Sequence, residues 1–269
     1  MQPLSARLCR SLSAQSVMIN KSHITRLRSL QEKRNREALG LFVVEGEKVV
    51  VELLKNSAYA PIELYLTEDG PSAIRAHPLA QVITAEQMQR ISHFPTPSTT
   101  YAVIPQQRLS IDITDLRRGR TLALDGVQDA GNVGTLIRIA DWFGFDRVLL
   151  SPDCADLFSQ KVINASMGSF THLAVHTHPL APTLREVVSG AKIHPEILGC
   201  DLAGEDVHTV GPMTDVVIVI GSEGRGLSKE VRECVTRFVT IPRFGQAESL
   251  NAATAAAIVC DQMRRRSAG

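Results

Sequence analysis

Aromatic residues make up only 4% of this 269-residue chain, with a single tryptophan. A binding surface built mainly on base-stacking rings is therefore disfavoured. The five cysteines, Cys9, Cys154, Cys200, Cys234 and Cys260, are odd in number, scattered, and form no CxxC pair. That argues against a disulfide framework and against a zinc site, and it suits a reducing cytosol. A dominant charge is also lacking: 29 basic side chains face 28 acidic ones, for a net charge of +1. The molecule as a whole does not read as a polyanion binder, so any nucleic-acid contact must come from local clustering. No apolar run approaches the roughly 20 residues of a membrane span. The chain contains neither GxxxxGK[ST] nor GxGxxG, which removes the phosphate-loop lysine of an NTPase and a dinucleotide fingerprint. What remains, with 44% hydrophobic residues, is a globular chain long enough for two domains.

The pattern divides near residues 105 to 120. Residues 1–17 carry Arg7, Arg10, several serines and no acid. This is the composition of an organelle transit peptide; the other reading is a disordered tail, taken to residue 19, of a cytoplasmic protein that could start at Met18. Residues 20–105 read as a small α/β unit. It comprises a basic helix over Ser22–Ala38, a strand Leu41–Val44 meeting Glu45-Gly46, a helix Glu47–Leu54, strands Ile62–Leu66 and Thr99–Ile104, and a helix Ala85–Ile91. Residues 106–120, with Gln106, Gln107, Arg108, Arg117, Arg118 and Arg120, read as a linker. From 121 to 269, strands alternate with helices. Strands are expected at Leu122–Leu124, Arg147–Leu150, His172–Val175, Glu196–Cys200, Val216–Ile220 and Phe238–Ile241, with a last helix over 247–265. Such alternation predicts a mostly parallel sheet with helices on both faces.

Three motifs sit where strands run into helices. The first, Asp125 to Arg138, contains Asn132, Gly134 and Arg138. Gly134 lies one turn before Arg138 and would leave room for a substrate to reach its guanidinium; read locally, Asn132 is a helix cap. The second is Gly221-Ser222-Glu223-Gly224-Arg225-Gly226-Leu227-Ser228, a glycine-rich turn after an apolar strand. The third, Ile241-Pro242-Arg243-Phe244-Gly245-Gln246-Ala247-Glu248-Ser249-Leu250-Asn251, leads into an alanine-rich helix.

Taken together, NxGxxxR, GSEGRGLS and IPRFGQAESLNAA resemble the three signature motifs of the SpoU (TrmH) family of RNA 2′-O-ribose methyltransferases, in the SPOUT superfamily. Lys161 with Ala165-Ser166-Met167-Gly168-Ser169 is similar to the family's intervening AS-x-G-[AS] element. Phe42-Val43-Val44-Glu45-Gly46 and the basic helix before it resemble its substrate-binding domain, a fold similar to certain ribosomal proteins. The resemblance implies a trefoil-knotted α/β catalytic domain, a homodimer with pockets near its interface, S-adenosylmethionine as cofactor, no metal, and methylation of a ribose 2′-hydroxyl in structured RNA. Position by position it implies cofactor contacts from Gly221, Ile241, Gly245, Ser249 and Leu250. It also implies a reacting centre of Asn132, Arg138, Glu223, Ser249 and Asn251. Ala130 and Arg243 depart from the family's usual proline and its usual methionine or leucine.

On this reading Arg138 holds the target ribose and phosphate and Asn132 orients the nucleophile. Ser249 and Asn251 fix the cofactor loop, and Glu223 holds loop backbone amides. A guanidinium stays protonated, so Arg138 would stabilise an alkoxide rather than act as base. Between Lys21 and Arg36 the one-signed run of Arg26, Arg28, Lys33, Arg34 and Arg36 is expected to bind RNA phosphates. The expected substrate is a stem-loop of large-subunit ribosomal RNA. Transfer RNA and a catalytically silent RNA-binding role are the alternatives.

Overall fold

The computed structural model describes residues 18–189 and 194–265; the two readings of residues 1–17 lie outside the described residues. Ile19 is already buried beside Ile24 and Leu27, so it is core rather than part of the tail expected over 1–19. The single basic helix expected over 22–38 is instead two: α1, Lys21–Ser29, and α2, Lys33–Leu39. The break is stabilised from the second helix. Asn35 donates to the Ser29 carbonyl, and Arg36 donates to those of Leu30 and Gln31, so the open carbonyls at the end of α1 find partners.

The rest of this unit runs β1 Leu41–Glu45, α3 Glu47–Leu53, β2 Glu63–Leu66, α4 Ser72–Arg75, β3 Ala80–Val82, α5 Ala85–Ile91 and β4 Thr100–Pro105. Thr84 and Gln87 form a capping box that starts α5 at its expected residue. The sheet order is β1-β4-β2-β3, with β4 antiparallel to both neighbours. The linker is not structureless: α6, Ile113–Leu116, lies in it and buries Leu116.

The second unit follows as β5 Arg120–Asp125, α7 Ala130–Trp142, β6 Arg147–Leu150, α8 Gln160–Ser166, β7 Ala174–Thr177, α9 Leu180–Val188, β8 Glu196–Asp206, β9 Val216–Gly221, α10 Lys229–Arg232, β10 Arg237–Thr240 and α11 Ala252–Arg264. All strand pairs are parallel, in the order β10-β8-β9-β5-β6-β7. Alternation fixes the two layers. Leu122, Leu124, Ile218 and Ile220 face α7, α8 and α11, whereas Ala123, Val217 and Val219 face α6, α9 and α10.

Two local departures shape the site. The β8–β10 register jumps from Gly199↔Phe238 to Glu205↔Val239, so residues 200–204 leave the ladder as a bulged excursion. The last helix begins at Ala252 rather than 247, because 247–251 remain loop. The units share one core. Phe42 stacks on Phe158 with ring centroids 4.8 Å apart, and Tyr59 meets Phe170 edge-on at 5.2 Å.

Candidate active site

The loops after β5, β9 and β10 meet beyond the carboxyl ends of the strands, where open α/β sheets place ligands. Asp129 caps α7: its Oδ1 accepts from the backbone N–H of Asn132 at 2.8 Å. Asn132 is therefore not the cap but a first-turn residue whose side chain is free to reach across. Its Nδ2 donates to Glu223 Oε1 at 2.9 Å. Asn251 Nδ2 donates to the same oxygen at 2.9 Å and to Asn132 Oδ1 at 3.0 Å. The other end of that amide, Oδ1, caps α11 by accepting from Ala253 and Thr254. Glu223 thus accepts from side-chain amides of two distant segments, and the expectation that it holds loop backbone amides is corrected. Its loop is fixed by reciprocal Ser222–Gly226 hydrogen bonds and by buried Asp125, whose Oδ2 accepts from the Ser228 N–H at 2.6 Å.

Beside this cluster opens a cavity of about 510 Å³, of the size and mostly apolar character of a small-ligand site. Gly221, Ile241, Gly245, Ser249 and Leu250, the expected cofactor contacts, all line it, and so does Glu223. The excursion in β8 adds Cys200, Asp201 and Leu202 to the wall; no residue pattern in the sequence announces these. A Cβ at Gly245 would meet nothing within 4 Å, which leaves the loop open to a ligand. Gly221 differs. A Cβ there would lie 2.3 Å from the Gly226 carbonyl carbon, so this glycine serves the closure of its own turn. Small Ala252 and Ala255 of α11 keep the volume free. The size and mostly apolar walls of the cavity fit an adenosine-bearing cofactor, and Ile241, Ser249 and Leu250 are among the residues that line it.

The expectations about Gly134, Arg36 and Arg26 need correction. Gly134 does not clear a path to Arg138. Its Cβ would stand 2.5 Å from Ala165 Cβ and 2.6 Å from the Val162 carbonyl, so it allows α7 to lie against α8. Arg138 is exposed, lies outside the cavity lining, and has no hydrogen-bond or ion-pair partner among the described residues. Arg36 is only 4% exposed. It pairs with Asp156 of the second unit at 2.6 Å and is a pin between the units, withdrawn from RNA. Arg26 is half-buried and engaged, 2.5 Å from Glu63. Burial opposes ionisation of Glu63, but hydrogen bonds from Tyr65, Arg26 and His23 outweigh it and hold its carboxyl below the usual range. Arg28, Lys33 and Arg34 remain exposed.

Thiol chemistry has little place here. Burial pushes Cys200 up to about 12 and also raises Cys154, Cys234 and Cys260, leaving them as thiols at neutral pH. Among the described residues no group of three metal-ligating side chains occurs, and no helix is long and apolar enough to cross a membrane.

A parallel sheet with a small-ligand cavity at its strand ends, bordered by a carboxylate–amide cluster, is the ligand-site arrangement of an open α/β protein. The model of the SpoU rRNA Methylase family matches residues 119–261, and that of the MRM3-like substrate binding domain matches residues 21–102. The chain belongs to the SpoU methylase family. It is 30% identical over 241 residues to the 23S rRNA (guanosine(2553)-2′-O)-methyltransferase RlmP of Bacillus subtilis, covering 88% of this chain and 94% of that one. A TrmH-family protein from Porphyromonas gingivalis superposes with a TM-score of 0.80 at 37% identity, over 93% of this chain and 100% of that one. The AdoMet-bound rRNA methyltransferase of Sinorhizobium meliloti gives 0.79 at 25% identity, over 93% and 96%. The fold is that of the SPOUT methyltransferases, with a separate substrate-binding unit ahead of the catalytic one.

Proposed function

We propose that this protein methylates a ribose 2′-hydroxyl in large-subunit ribosomal RNA, using S-adenosylmethionine bound in the 510 Å³ cavity. The observation that carries the reading is the double membership of Glu223. It lines the cofactor-sized cavity and also anchors the Asn132–Asn251 amide pair outside it. A cofactor held in the cavity would therefore have this preorganised polar cluster at its edge. The similarity to RlmP along nearly the whole chain favours 23S-type ribosomal RNA over transfer RNA.

When bound, the cofactor supplies an electrophilic methyl; the protein supplies orientation and electrostatics. Glu223 Oε1 is occupied by two amide donors, while Oε2 has no partner among the described residues and is available to the ribose hydroxyl. Asn132, held by Asp129 through its backbone, lines up the hydroxyl. Asn251 couples the start of α11, and with it the Ser249–Leu250 wall, to that alignment. Arg138 and Trp142 lie one turn apart on the exposed side of α7, and Trp142 is 83% exposed. A homodimer formed through this face brings Arg138 to the partner copy's ribose, where its charge steadies the developing alkoxide while phosphate or water takes the hydroxyl proton. The RNA is held as a stem-loop through Arg28, Lys33 and Arg34, and the reaction is cytoplasmic.

The test is calorimetric titration with S-adenosylmethionine on wild type and on Ala255→Phe, which adds a ring to the cavity wall from α11. Methyl transfer to ribosomal and transfer RNA is then compared. Micromolar binding lost in the variant, with label entering ribosomal RNA, is the expected result. A folded protein that binds no cofactor is instead a silent RNA-binding member of the family. Label confined to transfer RNA overturns the substrate.

A further inference from the structure

The reacting cluster itself carries Glu223 and stands next to Asp129, so an approaching RNA phosphate meets negative charge first. Two cations flank the cluster from elements the basic helix does not include. Lys161, at the start of α8, reaches Asp129 at 3.1 Å, and Asp129 is the residue that holds the Asn132 backbone. Arg225 stands two residues after Glu223, in the tight turn closed by Ser222 and Gly226, and reaches over Gly126 to Asp153 at 3.8 Å. A Cβ at Gly126 would come within 3.3 Å of that guanidinium, and the residue adopts a left-handed φ of 67°. Glycine here keeps open the gap in which Arg225 lies.

Both pairs are loose. The Lys161 side chain is 67% exposed and that of Arg225 is 72% exposed; their acidic partners are about half exposed. Exposed pairs of this kind contribute little and exchange readily for a phosphate, whose bonds to cations are charge-assisted. Their positions differ from those of the cations expected to bind RNA. Arg36 is buried, Arg26 is engaged by Glu63, and Arg138 lies away from the cavity of its own chain. Arg225 stands on the loop that carries Glu223, and Lys161 stands on α8 against Asp129, the residue that caps the helix carrying Asn132.

We infer that Lys161 and Arg225 form a phosphate grip on either side of the Asn132–Glu223–Asn251 cluster, holding the RNA backbone that flanks the target nucleotide. The inference rests on the methyltransferase reading above and adds to it the residues that set substrate position at the site. On RNA binding, Lys161 leaves Asp129 and Arg225 leaves Asp153, each for a backbone phosphate. Contacts of this kind position the strand without reading its bases.

The experiment measures binding of end-labelled, protein-free large-subunit ribosomal RNA between 0.05 and 0.3 M salt (about the range where counterion release dominates). The proteins are wild type, Lys161→Gln, Arg225→Gln, the double variant, and Arg185→Gln on the opposite helical layer as control. Each lost phosphate contact lowers the slope of log K against log salt by about 0.7–0.9, and so weakens binding roughly five- to eight-fold at 0.1 M salt. The double variant is expected to lose both increments, with S-adenosylmethionine affinity and melting temperature unchanged and Arg185→Gln indistinguishable from wild type.

Lys161→Arg should restore the slope. If Lys161 merely steadied Asp129, Asp129→Asn would reproduce its loss; the grip predicts that Asp129→Asn leaves the slope intact. Unchanged slopes in Lys161→Gln and Arg225→Gln, or a reduced slope in Asp129→Asn, overturn the grip. A wild-type protein that binds no cofactor fails the methyltransferase reading itself, and the two failures are therefore distinct.

Discussion

Gly134→Ala separates two explanations of the glycine in the NxGxxxR motif. If the residue clears space for a substrate near Arg138, alanine should relieve a glycine in mid-helix. Stability would rise by about 1 kcal/mol and the cost would fall on turnover. The structure predicts the opposite sign. The added Cβ would lie 2.5 Å from Ala165 Cβ, 2.6 Å from the Val162 carbonyl oxygen and 2.9 Å from the Ser166 nitrogen. Two of these three atoms are backbone and cannot swing away, so α7 and α8 must separate. Overpacking of this kind costs about 1–3 kcal/mol, and the immobile neighbours place it at the upper end. Set against the helix-propensity gain, the net loss is about 2 kcal/mol. For a chain of this size that lowers the melting temperature by roughly 4–8 °C. Thermal and urea melts of wild type, Gly134→Ala and Gly134→Ala/Ala165→Gly decide the matter. Removing the Ala165 methyl should recover part of the loss, since the carbonyl contact remains. A single variant as stable as wild type, or more stable, would refute the helix-packing account.

Arg36→Met leaves Asp156 without its cation in a mostly buried position. A loss of about 3 kcal/mol is expected in urea unfolding, the lower end for a broken buried pair. Arg36→Met/Asp156→Leu should regain most of it, and the salt slope of RNA binding should not change; a flattened slope would return Arg36 to the RNA surface. His172 gives a pH test. Hydrogen bonds to Asp141 of α7 and, against some burial, to Glu52 of α3 raise its pKa above the ordinary 6.5. A raised folded pKa adds stability that is complete below pH 6.5 and disappears as pH climbs through the raised value. His172→Gln should remove that part of the pH dependence, and an identical stability profile from pH 5.5 to 8.5 would contradict the clamp.

The parallel sheet was legible because β5, β6 and β9 are apolar runs bounded by turns, and in the first unit α5 was legible because it begins at its own capping box. The cavity residues in the third motif were legible through the resemblance alone, since Gly245, Ser249 and Leu250 sit in a loop with no periodicity. The helix break after Ser29 was hidden, because no glycine or proline marks it and its hydrogen bonds come from Asn35 and Arg36 further along. Residues 200–204 were hidden for a related reason: a bulge is decided by the register between two strands, and β8 alone looks continuous. Charge was the least reliable guide. A run of basic residues does not show which cation will be buried, and Arg36 was assigned to RNA on the strength of neighbours that stay outside.

The apolar core that passes unbroken from Phe42 and Tyr59 to Phe158 and Phe170 bears on how such enzymes can acquire new targets. A substrate module joined by a flexible tether can be exchanged as a cassette, leaving the catalytic half intact. Here a transplanted module would have to bring complementary rings and a counterpart for Asp156, or expose an oily wound on the catalytic half. If Arg28, Lys33 and Arg34 hold the RNA as proposed, retargeting is easier by point changes on the outward faces of α1 and α2 than by shuffling whole modules. Lineages of this architecture should then keep the joint between the halves while the outer helices drift.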